Sequence, residues 1–348
     1  MRIAVDAMGG DKGPQEIVKG VLRAISDEVG GEIVLVGDKG ILEEAIASQG
    51  PMPEKLFIQH ASQVIKMTDS PVVAIRRKKD SSLTVGVRLV ADKAADALIS
   101  SGNTGAIVAA GTVFLKPIEG VRRAGIAASF PSDTEKGVCV LIDAGANMKC
   151  KPVHLVQYAL VGSVYSKYVI GVDKPRVALL NVGAEKAKGT TLIKESYDTL
   201  SNASGINFVG NIEGSEVFNG SCDVAVTEGF VGNIVLKVTE GAGEGMLRWL
   251  KKGLDSLTLS TNDSSDLPKK LFSILNKLGN YSEYGGAPLL GLDGVCIKCH
   301  GRSDSNAIYN AIKITEKLIL NNVNRHIKDG IKALGLSWWR WGMRRGEE

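Results

Sequence analysis

The feature that most limits the fold is a unit repeated along the chain: a short β-branched run, a loop rich in Gly, Asn and Asp, then a helical stretch. The runs are Ile3–Asp6, Ile33–Gly37, Ala97–Ser100, Val138–Asp143, Val177–Asn181, Ile206–Val209 and Val224–Thr227. They are almost continuously apolar, the pattern of strands buried on both faces. Alternation with helices predicts an α/β three-layer α/β/α sandwich around a mostly parallel sheet. The 348 residues are enough for one large core. In open sheets of this kind ligands bind beyond the carboxyl ends of the strands. Those ends read DAMGGD, SGNTGA, DAGAN, NVGAEKAKG, GNIEG and TEGFVGN, which predicts one shared site lined by several loops.

Helix starts are well marked. Pro14, Ser70-Pro71 and Lys151-Pro152 each place proline at a first turn, and the last of these opens a helix to about Ile170. From about 235 to 282 the pattern changes to a helical excursion predicted to protrude from the body. A β region returns at Pro288–Gly301, followed by a last helix from roughly Asp304 to Ile327. We expect a single catalytic domain over 1–328 and a Trp/Arg-rich tail over 329–348. No leader-like stretch and no membrane-spanning run is seen, and five cysteines are too few for a disulfide framework. A cytoplasmic protein is expected.

The strand-end loops carry the chemistry. In the first, Gly9 and Gly10 allow close backbone approach, while Asp6 and Asp11 accept hydrogen bonds or hold a neighbouring lysine. A capped tight turn would use the same residues. Asn103, Thr104 and Gly105 open a helix after a strand, a place suited to an anion or to a plain turn. Asp143 and Asn147 precede a helix whose first turn holds His154, which reads either as an acid or as a structural residue. Asn181 begins a loop with Glu185, Lys186 and Lys188, where a lysine could neutralise phosphate or an oxyanion. Glu228 and Asn233 frame another small-residue loop, and His300 precedes the last helix. The stretch CIKCH, Cys296–His300, matches a haem-attachment spacing. It lies in a strand, however, where Cys296 and Cys299 should point to opposite faces. No metal-ligand set, Walker loop, GxSxG elbow or HExxH is present. With four histidines in all, a Ser-His-Asp engine is not indicated.

Assembled, these loops resemble the bacterial PlsX family, the acyl-acyl-carrier-protein:phosphate acyltransferases. The matching stretches include RIAVDAMGGD, ISSGNTGA, LIDAGAN, KPVHLVQYALVGSVYSKYV, PRVALLNVGAEKAKG, VTEGFVGN, EYGGAPLLGLDG and HGRSDSNA, and they run in order to about Val323. The resemblance implies an isocitrate/isopropylmalate dehydrogenase-like fold. The implied reaction is attack of inorganic phosphate on the thioester of a long-chain acyl carrier protein. The acyl phosphate would then feed glycerol-3-phosphate acylation. A homodimer at the membrane surface, near glycerol-3-phosphate acyltransferase, is also implied. No cofactor and no nucleic acid is expected.

Phosphate is already an anionic nucleophile, so it needs positioning and charge compensation rather than a protein base. Lys188 is the first candidate for that charge and Lys186 the second. Asn103, Thr104 and Gly105 would donate to phosphate. Asp6, Asp11, Asp143, Asn147 and Asn181 would order the loops. His154 or His300 would protonate the departing thiolate. Acyl carrier proteins are acidic, so the net charge of +4 and the clusters Arg76–Lys79, Arg122-Arg123, Lys251-Lys252 and Lys269-Lys270 offer docking surfaces, though each could be a solvated face. A metal-dependent decarboxylating dehydrogenase is disfavoured by loops richer in Gly and Asn than in acids. A coenzyme A-dependent phosphotransacetylase and a non-enzymatic membrane scaffold remain as alternatives.

Overall fold

A computed structural model describes residues 1–260 and 285–334. Eleven strands form one sheet: β1 (Arg2–Asp6), β2 (Glu32–Gly37), β3 (Leu56–His60), β4 (Ala97–Ser100), β5 (Gly125–Pro131), β6 (Val138–Ile142), β7 (Arg176–Leu180), β8 (Asn207–Ile212), β9 (Val224–Val226), β10 (Ala287–Leu290) and β11 (Val295–Lys298). Their spatial order is β3-β2-β1-β4-β11-β10-β5-β6-β9-β7-β8.

Helices cover both faces. On one lie α1 (Pro14–Ser26), α2 (Lys39–Ala47), α6 (Pro152–Tyr165), α7 (Thr191–Leu200), α9 (Ser305–Leu320) and α10 (Val323–Ala333). On the other lie α3 (Pro71–Arg77), α4 (Ser82–Ala91), α5 (Thr104–Ala110) and the start of α8 (Gly229–Ser260). Alternate residues of each strand feed the two cores. Ile3, Val5 and Ile99 go to the first, Ala4 and Leu98 to the second. The three-layer expectation holds, and so does the division of the cysteines: Cys296 packs in the second core and Cys299 in the first.

Two strands escaped the sequence pattern. β3 is an edge strand with mixed exposure, and β5, GIAASFP, is built largely of small residues that carry little β signal. The expected last helix is two helices. It breaks at Asn322, which takes the left-handed conformation with φ of 48°. Residues 329–333, expected in the tail, continue α10, where Gly330 packs on Leu160 of α6. The remainder of the tail (335–348) and the second half of the excursion, within 261–284, lie outside the described residues.

The larger correction concerns direction. β10 is antiparallel to both β11 and β5, and β5 is antiparallel to β6. Strands β1–β5 and β11 therefore run one way, and β6–β10 the other. Their carboxyl ends fall at opposite edges of the sheet, so the loops form two groups. α8 connects the groups. It begins at the Asn147 loop and reaches the His300 loop two turns later, at Lys237.

Candidate functional site

The first group gathers the ends of β1, β4 and β11. Asp6 is buried, and its side chain organises the opening loop. One oxygen accepts from the N–H groups of Met8 and Gly9, at 3.3 and 3.1 Å. The other accepts from the Ser100 hydroxyl at 2.6 Å, and Ser100 in turn accepts from the Gly102 N–H at 3.1 Å. The carboxylate that closed the first apolar run is thus the clasp between β1 and β4. Burial pushes its pKa up against these donors. The glycines follow from crowding. A Cβ on Gly9 would stand 2.7 Å from Asp6 Oδ2, and Gly10 has φ of 90° with its Cα turned onto Ser101 and the Gly301 carbonyl. Asp11 donates its N–H to that same carbonyl at 2.7 Å.

Asn103 caps α5 through Oδ1, which accepts from Ala106 N–H at 3.1 Å. Its Nδ2 donates to the Met67 and Asp69 carbonyls at 2.9 and 3.2 Å. Its polar atoms therefore fasten the loop before α3. Gly105 lacks a side chain because Pro71 packs where a Cβ would be. Thr104 starts α5 beside them. His300 accepts the Arg302 N–H at Nδ1, 3.0 Å, and its Nε2 stands 3.4 Å from Lys237 Nζ and 3.8 Å from Glu240. Burial, then Lys237, holds its pKa below the ordinary histidine value, so the ring is neutral at pH 7.

The second group gathers the ends of β6, β9 and β7. Asp143 is fully buried and accepts five hydrogen bonds, from the N–H groups of Ile126, Gly145, Ala146 and Asn147 and from Asn147 Nδ2. Asn147 Nδ2 also donates to the Ala124 carbonyl at 2.7 Å and to Tyr158 Oη at 2.8 Å. The start of α8 lies directly on this loop: Gly229 donates to the Asn147 carbonyl at 2.9 Å, and the Asn233 side chain covers Gly145. Glu228, half-buried, immediately precedes α8. His154 is the third residue of α6, and its Nδ1 accepts the Lys151 N–H at 3.1 Å. Burial, then Arg123, lowers its pKa to about 4. It is a neutral helix cap.

In the next loop, Asn181 Nδ2 donates to the Gly183 and Lys188 carbonyls at 3.1 and 3.2 Å. Lys188 pairs with Glu185 at 2.8 Å and Lys186 with Asp198 at 2.7 Å, both at the surface. Six strand spacings separate β4 from β7, on the order of 29 Å across the sheet. The lysine loop and the Asn103–Gly105 loop, expected to share one phosphate, belong to different strand-end groups.

Lys298, at the carboxyl end of β11, was not singled out from the sequence. It sits in register with Ser100, and Ser100 with Asp6, so the three side chains form a row on one face. Its signal was a lysine closing an otherwise apolar strand, the pattern that drew attention to Asp6. No cluster of metal-ligating side chains is seen among the described residues.

Comparison with known proteins adds the kinship. Residues 1–326 match the family model described as fatty acid synthesis protein. Proteins named phosphate acyltransferase are similar over nearly the whole chain. That of Halothermothrix orenii is 44% identical, covering 96% of this chain and 100% of its own. That of Bacillus subtilis is 42% identical, covering 95% and 98%. Among solved structures, a phosphotransacetylase from Streptococcus pyogenes superposes with a TM-score of 0.63 at 15% identity, covering 92% of this chain and 94% of its own. The EutD phosphotransacetylase from Staphylococcus aureus gives 0.54 at 16%, covering 91% and 93%. Those two likenesses concern the fold. The full-length sequence match settles the kinship: this chain belongs to the fatty acid synthesis protein family, the PlsX family of phosphate acyltransferases.

Proposed function

We propose that this enzyme transfers the acyl group of a long-chain acyl carrier protein to inorganic phosphate, giving an acyl phosphate that goes on to glycerol-3-phosphate acylation. The near-full-length kinship with phosphate acyltransferases carries this reading. A phosphate oxygen attacks the thioester carbonyl, the tetrahedral oxyanion collapses, and the carrier thiolate leaves. A thiol of pKa about 8.5 needs little help to depart. That suits the two candidate acids, because His154 is committed to a helix cap and His300 is held neutral. Glycine-lined loops that admit a ligand close to the backbone suit the positioning that phosphate requires.

The test is thioester loss by purified protein with phosphate present or absent, in chelator and without nucleotide. Phosphate-dependent loss of acyl carrier protein thioester is expected. Turnover that needs Mg²⁺ or nucleotide overturns the mechanism. A strong preference for acyl-coenzyme A replaces the donor.

We propose a homodimer built on α8. Phe230, Ile234, Val238, Met246 and Trp249 are 48–70% exposed and recur at helical spacing along one stripe. Light scattering should show a dimer, and Ile234→Glu with Val238→Glu should give a monomer. A dimer that survives both changes removes the stripe from the interface. No helix among the described residues is long and apolar enough to cross a membrane. For membrane contact we propose the lysine-flanked excursion and the Trp338, Trp339, Trp341 and Arg340 tail, from sequence alone. Co-sedimentation with anionic vesicles, with and without the residues after Leu336, tests this. Pelleting that is lost with the tail supports it, and no pelleting of the full chain excludes it.

A further inference from the structure

The first group of loops holds a half-buried cation with no ion pair among the described residues. Lys298 lies on the face of the sheet covered by α5 and α8. Cys296, two residues earlier, points into that core, and alternation brings Lys298 to the same side. Within reach of its charge are Lys237 and Glu240 of α8, and Glu240 is already bound to Lys237 at 2.6 Å. Lys298 makes no hydrogen bond or ion pair among the described residues. Burial and then Lys237 push its pKa below the ordinary lysine value. A lysine placed for structure would be paired or would extend into water.

A second observation stands beside it. The Ser303 hydroxyl is buried at 4% exposure and meets no partner among the described residues, whereas that of Ser101 is turned to the Cys299 thiol on the other face of the sheet. Ser303 belongs to the loop that follows Lys298, where it closes the turn begun by His300. An unused hydroxyl in the loop that follows an unpaired ammonium suits an oxyanion.

We propose that Lys298 is the phosphate-binding residue of this enzyme, with the Ser303 hydroxyl as a further donor to the same ion. The inference rests on the reaction proposed above and assigns its nucleophile site. Lys237 and Arg302 add positive charge at the rim, the latter tied to Glu244 at 2.9 Å. The acyl donor also carries a phosphate, on its phosphopantetheine arm. Inorganic phosphate is the ion assigned here.

The experiment compares the full-length protein with Lys298→Met, which keeps the apolar stem, and Lys298→Arg, which keeps the charge. For Lys298→Met the KM for inorganic phosphate should rise at least 30-fold, with the KM for the acyl donor changed less than threefold. Lys298→Arg should recover part of the loss. Phosphate should raise the melting temperature of the wild type and not of Lys298→Met. Without phosphate, Lys298→Met should melt no lower than the wild type, because it loses only an unpaired charge. An unchanged phosphate KM and an intact phosphate-induced shift would overturn the proposal, as would a rise confined to the donor's KM. A wild type that shows no turnover yet keeps a Lys298-dependent phosphate shift would overturn the assigned reaction and leave the site standing.

Discussion

The two groups of strand-end loops look alike in sequence and differ in how their polar atoms are spent. In the group at β6, β9 and β7, Asp143 has five donors, Asn147 Nδ2 has three acceptors, and both lysines of the next loop have carboxylate partners. In the group at β1, β4 and β11, Asp6 and Asn103 are as fully used, but the charged Lys298 and the Ser303 hydroxyl are left over, whereas the second group leaves over a neutral acceptor, Asn211 Oδ1, whose Nδ2 holds the Glu185 carbonyl. A buried polar group that is satisfied by its own loop builds the loop. A charged donor that is left unsatisfied has a cost that folding does not explain, and it is a place for a ligand. The glycine-rich look of a loop reports only close packing, which both groups need.

The comparison breaks first at Gly232. A Cβ there would fall on the Asp143 carbonyl oxygen, part of the backbone of the second group. Gly232→Ala is expected to cost on the order of 3 kcal/mol or more. Asp143→Ala should cost about 3 kcal/mol as well, because four buried or half-buried N–H groups lose their acceptor together. Urea denaturation reads both. If Asp143→Ala keeps wild-type stability and loses only activity, the second group is not architecture and the distinction between the groups fails.

The fold was legible where strands were long and apolar on both faces. The Ile3, Ile33, Ala97, Val138, Val177 and Val224 runs all became strands, and the prolines at 14, 71 and 152 all opened helices. Strand direction was not legible, because an alternation of strands and helices is the same read up or down the sheet. Three antiparallel pairings around β10 and β5 were enough to divide one expected site into two groups. Within the site, the residues that clasp the loops showed in the sequence because turn chemistry is local. Lys298 did not, since its meaning depends on what α8 brings over it from more than fifty residues away.

His154 gives the next largest effect, through pH. Its folded pKa of about 4 lies below the unfolded value near 6.5. Between those values the unfolded chain holds a proton that the folded chain does not, so stability falls as pH drops through that window. The loss attributable to His154 should be on the order of 2 kcal/mol by pH 4.5. His154→Gln keeps a side-chain acceptor at the third helical position while removing the titration. The variant should therefore lose less stability than the wild type between pH 7 and pH 4.5. Equal losses would mean that His154 is protonated in the folded protein at pH 4.5. The positive groups around it, Arg122, Arg123 and Lys151, would then be too well screened to matter.

The smallest expected effect decides what the comparison is worth. Lys188 sits at half exposure in a surface pair with Glu185, and what its loop needs from it is the backbone carbonyl that Asn181 grips. Exposed pairs of this kind hold little stability, and a truncated side chain leaves the carbonyl in place. Lys188→Ala should leave the denaturation midpoint where it is and change kcat/KM for phosphate by less than tenfold, far less than Lys298→Met. The same holds for Lys186, paired at the surface with Asp198. A loss of 100-fold or more at Lys188, with stability unchanged, would mean that a half-exposed, paired lysine carries the charge of the reaction. The rule that surplus polar atoms mark the site would then fail in this molecule, and the two edges of the sheet would have to meet over one substrate. A small change at Lys188 beside a large one at Lys298 places the chemistry at the β1, β4 and β11 ends and leaves the β7 loop as scaffold.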